Sequence, residues 1–351
     1  MAFTISQALH RIVAHQDLTH DEMIDIMRSI MSGDTSQAQT AALLAALRVK
    51  VETTTEVAAA ATVMREFATH VTIDLPNLVD MCGTGGDGAH TFNISTAAMF
   101  VAAAAGANVA KHGGRSVSST TGSADILEAL GANIHLPSDR VAQCIADVGV
   151  GFMFAPNHHP AMKHIAPVRK ELGVRTIFNI LGPLTNPAGA KHQLMGVFHS
   201  ELVGIQAEVL RKLGSDHVLV MHAHSGLDEL SLVGETSVAE LKFGHIEHYN
   251  VTAQQFGFPH YSREECESAL KISSTDESKA KVQAALGNES GPGRDIVALN
   301  AAGALLASNV APSWQDAVDL AVKTINSGAA KKKLADFVAT SQALSVVTPA
   351  R

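Results

Sequence analysis

A glycine-rich stretch near residue 80 carries the strongest chemical signal in the sequence. Residues 80–88 read DMCGTGGDG, and residues 91–96 read TFNIST. Glycines that follow a strand let backbone N–H groups approach phosphate oxygens closely. Asn93, Ser95 and Thr96 fall where the next helix should begin, and the free N–H groups and dipole of a helix start favour an anion. The stretch therefore predicts a cradle for a diphosphate.

The same glycines also fit GxGxxG, the dinucleotide-binding fingerprint, which is weak evidence by itself. A dinucleotide site should offer an acidic residue about 20 residues further on, to hold a ribose hydroxyl. Here the second predicted strand runs into Lys111 and His112 instead. A tight turn without a ligand is the other alternative, but it does not need so many glycine, acidic and hydroxyl positions. We therefore favour the phosphate interpretation.

A second loop combines two cations with several hydroxyls. Residues 111–119 read KHGGRSVSS, and the chain continues as TTGS to Ser123. Lys111 and Arg115 can neutralise phosphate charge, while the serines can donate hydrogen bonds to phosphate oxygens. Taken alone, the loop fits a solvated surface equally well. Beside the glycine loop it favours a phosphate site, with Lys111 and Arg115 as candidate catalytic residues.

Two adjacent carboxylates, Asp228 and Glu229, follow the predicted strand 217–222. Oxygen ligands of this kind suit Mg²⁺, which usually also binds substrate phosphates. Acidic pairs are common on surfaces, so the assignment depends on the phosphate loops. His222 and His224 form an HxH pair that would suit zinc, but no third protein ligand stands at a useful spacing. We therefore interpret both histidines as structural.

A fourth stretch mixes apolar residues, prolines and imidazoles. Residues 154–169 read FAPNHHPAMKHIAPVR, and residues 178–187 read FNILGPLTNP. Arg169 is a candidate for bidentate capture of a carboxylate, and the alternative is a surface cation on a helix. The Gly182-Pro183 step suits a rigid wall of a pocket.

These loops need elements that hold them in place. Short apolar runs alternate with helical stretches after residue 76, which predicts an α/β domain with a mainly parallel sheet. The predicted strands are 78–81, 108–110, 148–154, 193–198 and 217–222, and a late hairpin is predicted over 237–249. The predicted helices are 93–106, 124–130, 296–308, 314–325 and 331–344.

The first 70 or so residues have a different pattern of apolar and polar residues, which predicts only helices. Residues 5–15 have helical periodicity, and three capping boxes begin at Thr19, Ser36 and Thr53. Start signals at such close spacing indicate a compact bundle. We therefore predict a small helical N-terminal domain over 1–72, which part of 160–190 would complete, and a larger α/β domain over 73–351.

Composition excludes several other classes of protein. Of the 351 residues, 46% are hydrophobic and 17% charged, as in ordinary globular enzymes. A net charge of -8 argues against a general nucleic-acid or anionic-membrane binder, which needs a basic surface. The three cysteines form no CxxC pair, and no signal-peptide pattern or run of about 18 apolar residues occurs. We therefore expect a cytoplasmic protein with reduced thiols.

Over nearly its whole length, the chain resembles the anthranilate phosphoribosyltransferases. The motifs that carry the resemblance, in this order, are the GTGGD and NIST loops, the KHGxRSVSS loop, the RTxFNxLGPLTNP stretch, the DELS segment and the GPGRD segment at 291–295. Several motifs in one order are far more specific than any single one. The resemblance implies a helical domain beside an α/β domain, the architecture of pyrimidine nucleoside phosphorylases, and a homodimer joined through the helical domains.

The resemblance also implies which residues bind the substrates of tryptophan biosynthesis and Mg²⁺. It implies Mg²⁺ at Ser95, Asp228 and Glu229, and anthranilate near Gly83, His112, Gly114, Asn157, His158 and Arg169. It implies phosphoribosyl pyrophosphate at Gly83, Gly86, Asp87, Thr91, Asn93, Ile94, Ser95, Thr96, Lys111, His112, Gly113, Gly114, Arg115, Ser116, Val117, Ser118, Ser119 and Ser123.

One departure from the family pattern concerns the acceptor. The usual loop reads lysine, histidine, glycine, asparagine, arginine, and the asparagine position here is Gly114. That asparagine contacts anthranilate in the family, so one hydrogen bond is missing or replaced. The change also makes the loop resemble the Ser-Gly-Arg-Gly loop of pyrimidine phosphorylases, while the phosphate residues stay the same.

The expected reaction is displacement of pyrophosphate at the anomeric carbon by the neutral amine of anthranilate, in which positioning should dominate. Arg169 would orient the acceptor, and His112 is a weak candidate for the proton acceptor. One rival is a pyrimidine nucleoside phosphorylase, but the chain is short for that family and Asp228 and Glu229 would lack a purpose. The other is a non-catalytic nucleic-acid-binding relative, which the negative charge and intact phosphate loops disfavour.

Overall fold

The computed structural model describes residues 3–116 and 120–345. The chain begins with four helices, α1 (Ile5–Val13), α2 (His20–Ser32), α3 (Gln37–Lys50) and α4 (Thr54–Glu66). All three capping boxes predicted from the sequence are present. The hydroxyls of Thr19, Ser36 and Thr53 each accept a hydrogen bond from the backbone N–H three residues later. These starts are predictable because both partners of each cap are local in sequence.

A seven-stranded sheet forms the centre of the remaining chain. Its strands are β1 (Leu78–Met81), β2 (Asn108–Gly113), β3 (Val150–Phe154), β4 (His192–Gly196), β5 (His217–Ala223), β6 (Glu235–Lys242) and β7 (His245–Thr252). The spatial order is β3-β2-β1-β4-β5-β6-β7, in which the first five strands are parallel and the β6–β7 hairpin is antiparallel. The predicted mainly parallel sheet and late hairpin are confirmed.

Helices separate the strands and cover the sheet. They are α5 (Ile94–Ala104), α6 (Ser123–Ala129), α7 (Ser138–Val148), α8 (Ala155–His158), α9 (Ala166–Leu172), α10 (Phe178–Leu181), α11 (Leu202–Lys212), α12 (Arg263–Leu270), α13 (Thr275–Leu286), α14 (Pro292–Ala307), α15 (Trp314–Asn326) and α16 (Ala329–Ala343). Several predicted boundaries differ from the structure by a few residues, and the one at the start of β3 has a clear cause. The strand expected from Val148 begins at Val150, because Val148 ends α7 and Gly149 closes that helix with a positive φ of 73°.

The two faces of the sheet bury two separate cores. Along β5, Leu219 and Met221 pack with α5 and α14, while Val218 and Val220 pack with the N-terminal helices and α11. This alternation follows from the period of two in a strand. Apolar residues of the segment 161–184 belong to the same core as α1–α4. The domain division itself stays a prediction.

The order of the strands locates a crevice. From β1 the chain moves outward to β2 and β3, and then returns to β4 on the other side of β1. In open α/β sheets, ligands bind outside the carboxyl ends of the strands at such a reversal. The glycine-rich loop follows β1 and therefore lies at this point. None of the helices in the described ranges combines the length and apolar character needed to cross a bilayer.

Candidate active site

The glycine loop after β1 packs directly on the end of β4 and on the carboxylate segment. A Cβ built on Gly83 would lie 2.9 Å from the carbonyl oxygen of Gly196, and one built on Gly196 would lie 1.5 Å from the carbonyl oxygen of Asp228. Thr84 donates its backbone N–H to the Gly196 carbonyl at 2.9 Å. Three loops therefore meet at the sheet reversal, and they can do so because two of the contact positions lack side chains.

The NIST segment starts helix α5 and lies between two other elements. The Asn93 side chain donates to the Thr121 carbonyl at 3.2 Å and accepts a hydrogen bond from the Ser278 hydroxyl at 2.7 Å. Thr96 is buried and donates to the Ser123 hydroxyl at 3.2 Å. These contacts fix the start of α5, where the positive end of the helix dipole suits an anion.

Lys111 is a buried cation at this crevice, with 2% of its surface exposed. Its ammonium group donates to the Met81 carbonyl and to the Ser95 hydroxyl, the latter at 3.2 Å. The structure therefore brings together the two loops that the sequence singled out separately. A buried ammonium beside a helix start is suited to an anionic ligand.

Asp228 and Glu229 face the same crevice from the loop after β5. The Asp228 carboxylate accepts the Gly85 N–H, and the Glu229 carboxylate accepts the Ser95 N–H. Burial, followed by the charge of Asp87, raises the pKa of Asp228 well above its usual range. Burial and the neighbouring Asp228 do the same to the pKa of Glu229. Ser95, Asp228 and Glu229 thus meet, and a divalent cation would relieve the crowding of the carboxylates, which the nearby Lys111 charge offsets only in part.

His112 occupies a buried position behind the glycine loop. Its Nδ1 donates to the Asp80 carboxylate at 2.7 Å, and its Nε2 donates to the Gly182 carbonyl at 2.9 Å. Burial lowers the pKa of His112, but Cys82 and Asp80 outweigh that effect and the pKa lies well above its usual range. Asp80, Cys82 and His112 are close enough to share a metal ion. Because both ring nitrogens are engaged, a buried imidazolium explains this cluster better.

The turn at residues 182–184 is held by side chains from distant parts of the chain. The Gly182 carbonyl accepts from His112, the Pro183 carbonyl accepts from Gln193 at 2.7 Å, and the Leu184 carbonyl accepts from Arg65 at 2.7 Å. Arg65 belongs to helix α4 of the N-terminal region. Three consecutive carbonyls are therefore fixed, which gives the rigid segment predicted at Gly182-Pro183.

The remainder of the second loop is only partly connected to the crevice. Arg115 lies at 2.8 Å from Asp125 and at 2.5 Å from Glu128, so its charge is already balanced within the chain. Among the described residues, a Cβ built on Gly114 would have no neighbour within 4 Å. The Ser116 backbone N–H donates to Asp125. Val117, Ser118 and Ser119 lie outside the described residues.

The proposed acceptor side is built from short irregular elements. Arg169, on α9, is half-buried, and its guanidinium lies 5.8 Å from the ring centre of Phe178. No carboxylate of the described chain pairs with it. His158 is buried and donates from Nδ1 to the Thr69 carbonyl at 2.9 Å, whereas Asn157 is exposed. A half-buried guanidinium without an internal acid is suited to an external carboxylate.

Sequence reasoning missed two features beside the glycine loop. Arg175 donates to the Gly86 carbonyl at 2.7 Å, and its guanidinium lies 4.0 Å above the ring of Phe198. Its position within the RTxFN motif was the signal that could have identified it. A cavity of about 270 Å³ also opens at the outer end of the loop. It is lined by Asp87, Thr91 and Arg263 of α12, among others.

Most of the other site residues predicted from the sequence lie around the same crevice. Gly86 has a positive φ of 80°, and Asp87 accepts the Asp228 N–H at 3.4 Å. Thr91 forms a β-bridge with Lys271. Ile94 is buried in the core, and a Cβ on Gly113 would lie 3.4 Å from that of Ser123.

Two family descriptions match the chain. Residues 6–68 match the helical bundle domain of a glycosyl transferase family, and residues 75–331 match the α/β domain of that family. A curated relative from Methylibium petroleiphilum, an anthranilate phosphoribosyltransferase, is 61% identical over 342 residues, which cover 97% of this chain and 98% of the relative.

Solved structures give the same result. The crystal structure of anthranilate phosphoribosyltransferase from Thermus thermophilus is similar with a TM-score of 0.89 and 43% identity, over 95% of this chain and 99% of that one. The Saccharomyces cerevisiae enzyme in complex with PRPP and Mg is similar with a TM-score of 0.86 and 27% identity, over 97% and 98% of the two chains.

Proposed function

The chain belongs to the family of anthranilate phosphoribosyltransferases, and from this premise we propose its reaction and the roles of its residues. The protein transfers the 5-phosphoribosyl group from phosphoribosyl pyrophosphate to the amine of anthranilate. The products are N-(5-phosphoribosyl)anthranilate and pyrophosphate, in tryptophan biosynthesis. The observation that carries this proposal is the meeting of the glycine loop, Lys111 and the Asp228–Glu229 pair in one crevice.

The donor is held mainly by backbone and by Lys111. The glycine loop and the positive end of the α5 dipole lie at the crevice where β1 and β4 end, and they suit phosphate oxygens. The buried Lys111 ammonium adds a positive charge beside Ser95. Charge that grows on the departing pyrophosphate would therefore meet donors that are already oriented.

The carboxylate pair fits a divalent cation. Asp228 and Glu229 have raised pKa values because burial and like charges crowd them, and a bound cation removes that repulsion. We assign Mg²⁺ to Asp228, Glu229 and the Ser95 hydroxyl. When bound, Mg²⁺ would neutralise charge on the pyrophosphate and favour its departure.

The acceptor is oriented by Arg169 through the carboxylate of anthranilate. A neutral aromatic amine needs no strong base before it attacks the anomeric carbon, so positioning contributes most of the rate. His112 is poorly suited to accept the proton afterwards, because Asp80 and Gly182 already occupy both its ring nitrogens. Arg115 is ion-paired with two carboxylates, so a direct contact with phosphate requires these ion pairs to open.

Three further assignments belong to the same proposal. The protein acts as a homodimer joined through its helical regions, it acts in the cytoplasm, and it binds neither nucleic acid nor membrane. Family membership supports the dimer, the three free cysteines support a reducing compartment such as the cytoplasm, and the net charge of -8 supports the last assignment.

The test is the fluorescence of anthranilate on mixing the protein with phosphoribosyl pyrophosphate and Mg²⁺. We expect the signal to disappear only when all components are present. The Asp228→Ala, Glu229→Ala double variant should consume anthranilate far more slowly. No loss of signal from folded wild-type protein would overturn the proposal, and phosphate-dependent release of thymine from thymidine would then favour the phosphorylase alternative.

A further inference from the structure

One buried amide stands directly behind the carboxylate pair. Asn300 lies in the middle of helix α14, is 0% exposed, and has apolar residues on both sides of it in the sequence. Its Oδ1 accepts the backbone N–H of Leu230 at 2.9 Å. Its Nδ2 donates to the carbonyl of Leu230 at 3.0 Å and to the carbonyl of Ile296 at 2.9 Å. A single side chain therefore binds both polar backbone groups of the residue that follows Glu229.

This pairing fixes the orientation of the loop more strongly than one hydrogen bond would. The two ends of a rigid, planar amide engage one residue, so the backbone of Leu230 cannot rotate without breaking a buried contact. A buried backbone group that loses its partner is not rescued by water. The third hydrogen bond, to Ile296, ties the amide to the preceding turn of α14 and holds its rotamer.

Close packing confines the same loop from two other directions. Gly196 leaves room for the Asp228 carbonyl, which a Cβ there would meet at 1.5 Å. On α14, a Cβ at Gly303 would lie 3.0 Å from the side chain of Leu230. The backbone of Asp228 to Leu230 is thus pressed between β4 and α14, and Asn300 sets its register along the helix.

We propose that Asn300 is a positioning residue that holds Asp228 and Glu229 in the geometry required for the divalent cation. This inference rests on the proposed role of the carboxylate pair. Asn300 touches neither substrate nor cation. It acts through the Leu230 backbone, and partners of this kind commonly change metal affinity by roughly 10- to 100-fold.

The test compares Asn300→Leu, which keeps the branched shape but removes all three hydrogen bonds, with Asn300→Ser, whose hydroxyl can still donate to the Ile296 carbonyl but cannot bind both polar groups of Leu230. Ser308→Ala is the matched control, because it removes a buried hydrogen bond near the other end of α14. Binding of Mn²⁺, measured by electron paramagnetic resonance with pyrophosphate present, reports on the site without turnover. For each variant, the Mg²⁺ concentration that gives half-maximal rate and the KM for anthranilate are measured as well.

We expect Asn300→Leu to weaken Mn²⁺ binding and raise the half-saturating Mg²⁺ concentration by about 10-fold or more. Asn300→Ser should weaken Mn²⁺ binding as well, because its hydroxyl cannot bind both polar groups of Leu230, while Ser308→Ala and the KM for anthranilate should change less than about twofold. If Asn300→Leu fails to fold, Asn300→Ser is compared with Ser308→Ala instead.

Unchanged Mn²⁺ binding in folded variants would overturn the inference. So would a loss that is equal for Mn²⁺ and anthranilate, because it would indicate a general structural role. Failure of the wild-type protein to consume anthranilate, with Mn²⁺ binding still sensitive to Asn300, would overturn the proposed function and leave the positioning role in place.

Discussion

The donor side and the acceptor side of the crevice are built on different principles. The donor side uses strand ends, glycines and a helix start. Lys111 is already hydrogen-bonded to Met81 at the end of β1 and to Ser95 at the start of α5. The acceptor side uses the short helices between residues 155 and 184. There, within the described ranges, Arg169 pairs with no acid, and the buried ring of His159 has no hydrogen bond at either nitrogen. One side is therefore organised before substrate arrives, while the other keeps polar groups that a ligand can satisfy.

The charges on the two sides differ as well. Burial and the neighbouring His112 lower the pKa of His159 to about 3, so this ring stays neutral beside a buried imidazolium. On the donor side, burial raises the pKa of both Asp228 and Glu229. The comparison predicts that donor-side variants change the metal requirement and turnover, whereas acceptor-side variants change the apparent affinity for anthranilate.

The largest effect is expected from the carboxylates. The double variant Asp228→Asn, Glu229→Gln should lower turnover by roughly 1,000-fold, because charge on the departing pyrophosphate loses its stabilisation. Steady-state rates over a range of Mg²⁺ concentrations measure this loss. Glu235→Gln, at an exposed position on β6, removes the same kind of charge and should keep the wild-type rate. Normal turnover in the double variant would contradict the metal assignment.

Removal of the Arg169 guanidinium should have the second-largest effect. Arg169→Met should raise the KM for anthranilate by roughly 10- to 100-fold, the usual cost of a lost charge-assisted pair. The KM for phosphoribosyl pyrophosphate should stay near its original value. Lys170→Met, the exposed neighbour on the same helix, is the control. An increase confined to the KM for phosphoribosyl pyrophosphate would indicate that Arg169 binds the donor, and it would contradict the assignment to anthranilate.

The carboxylates should also make stability depend on pH. Their folded pKa values are raised, so protonation favours the folded state. This contribution is complete below the unfolded pKa of about 4 and is lost as pH rises through the raised values. In the presence of a chelator, the melting temperature should therefore fall between pH 5 and pH 8, by about a few degrees. Calorimetry with the Asp228→Asn, Glu229→Gln variant should give a flatter profile, and an equally steep one would contradict this explanation.

The smallest effect is expected at Gly114. Asparagine should fit there, because a Cβ has no neighbour within 4 Å in the part of the chain that the structure describes. One added hydrogen bond to the acceptor should lower the KM for anthranilate by about two- to fivefold. Gly114→Ala, which adds no polar group, separates the hydrogen bond from the change in backbone freedom. A decrease of the same size in both variants would show that the amide is not responsible.

The parts of the fold that depend on local sequence were predictable. The capping boxes at Thr19, Ser36 and Thr53 involve residues three positions apart, and the start of α5 follows directly from the NIST segment. The start of β3 was less predictable, because an apolar run can end a helix as well as begin a strand. Gly149 decides between the two through its positive φ.

Contacts between distant residues could not be predicted from spacing. Arg175 and Gly86 are 89 positions apart, and Asn300 and Leu230 are 70 positions apart. The sequence also suggested His112 as a weak candidate for proton transfer. Nothing in the loop KHGGR indicates that Asp80 and Gly182 would bind both of its ring nitrogens. Such partners are set by the tertiary fold, which a single sequence does not reveal.

The turn at residues 182–184 affects how the protein unfolds. Its three carbonyls are bound by Arg65 from α4, by His112 from β2 and by Gln193 from β4. Loss of the N-terminal helices would therefore release the Leu184 carbonyl, and opening of the sheet would release that of Pro183, while the Gly182 carbonyl would keep its hydrogen bonds from Thr185. Neither region can melt without loosening this turn, so the amide protons of α4 and β2 should exchange with solvent in one cooperative event.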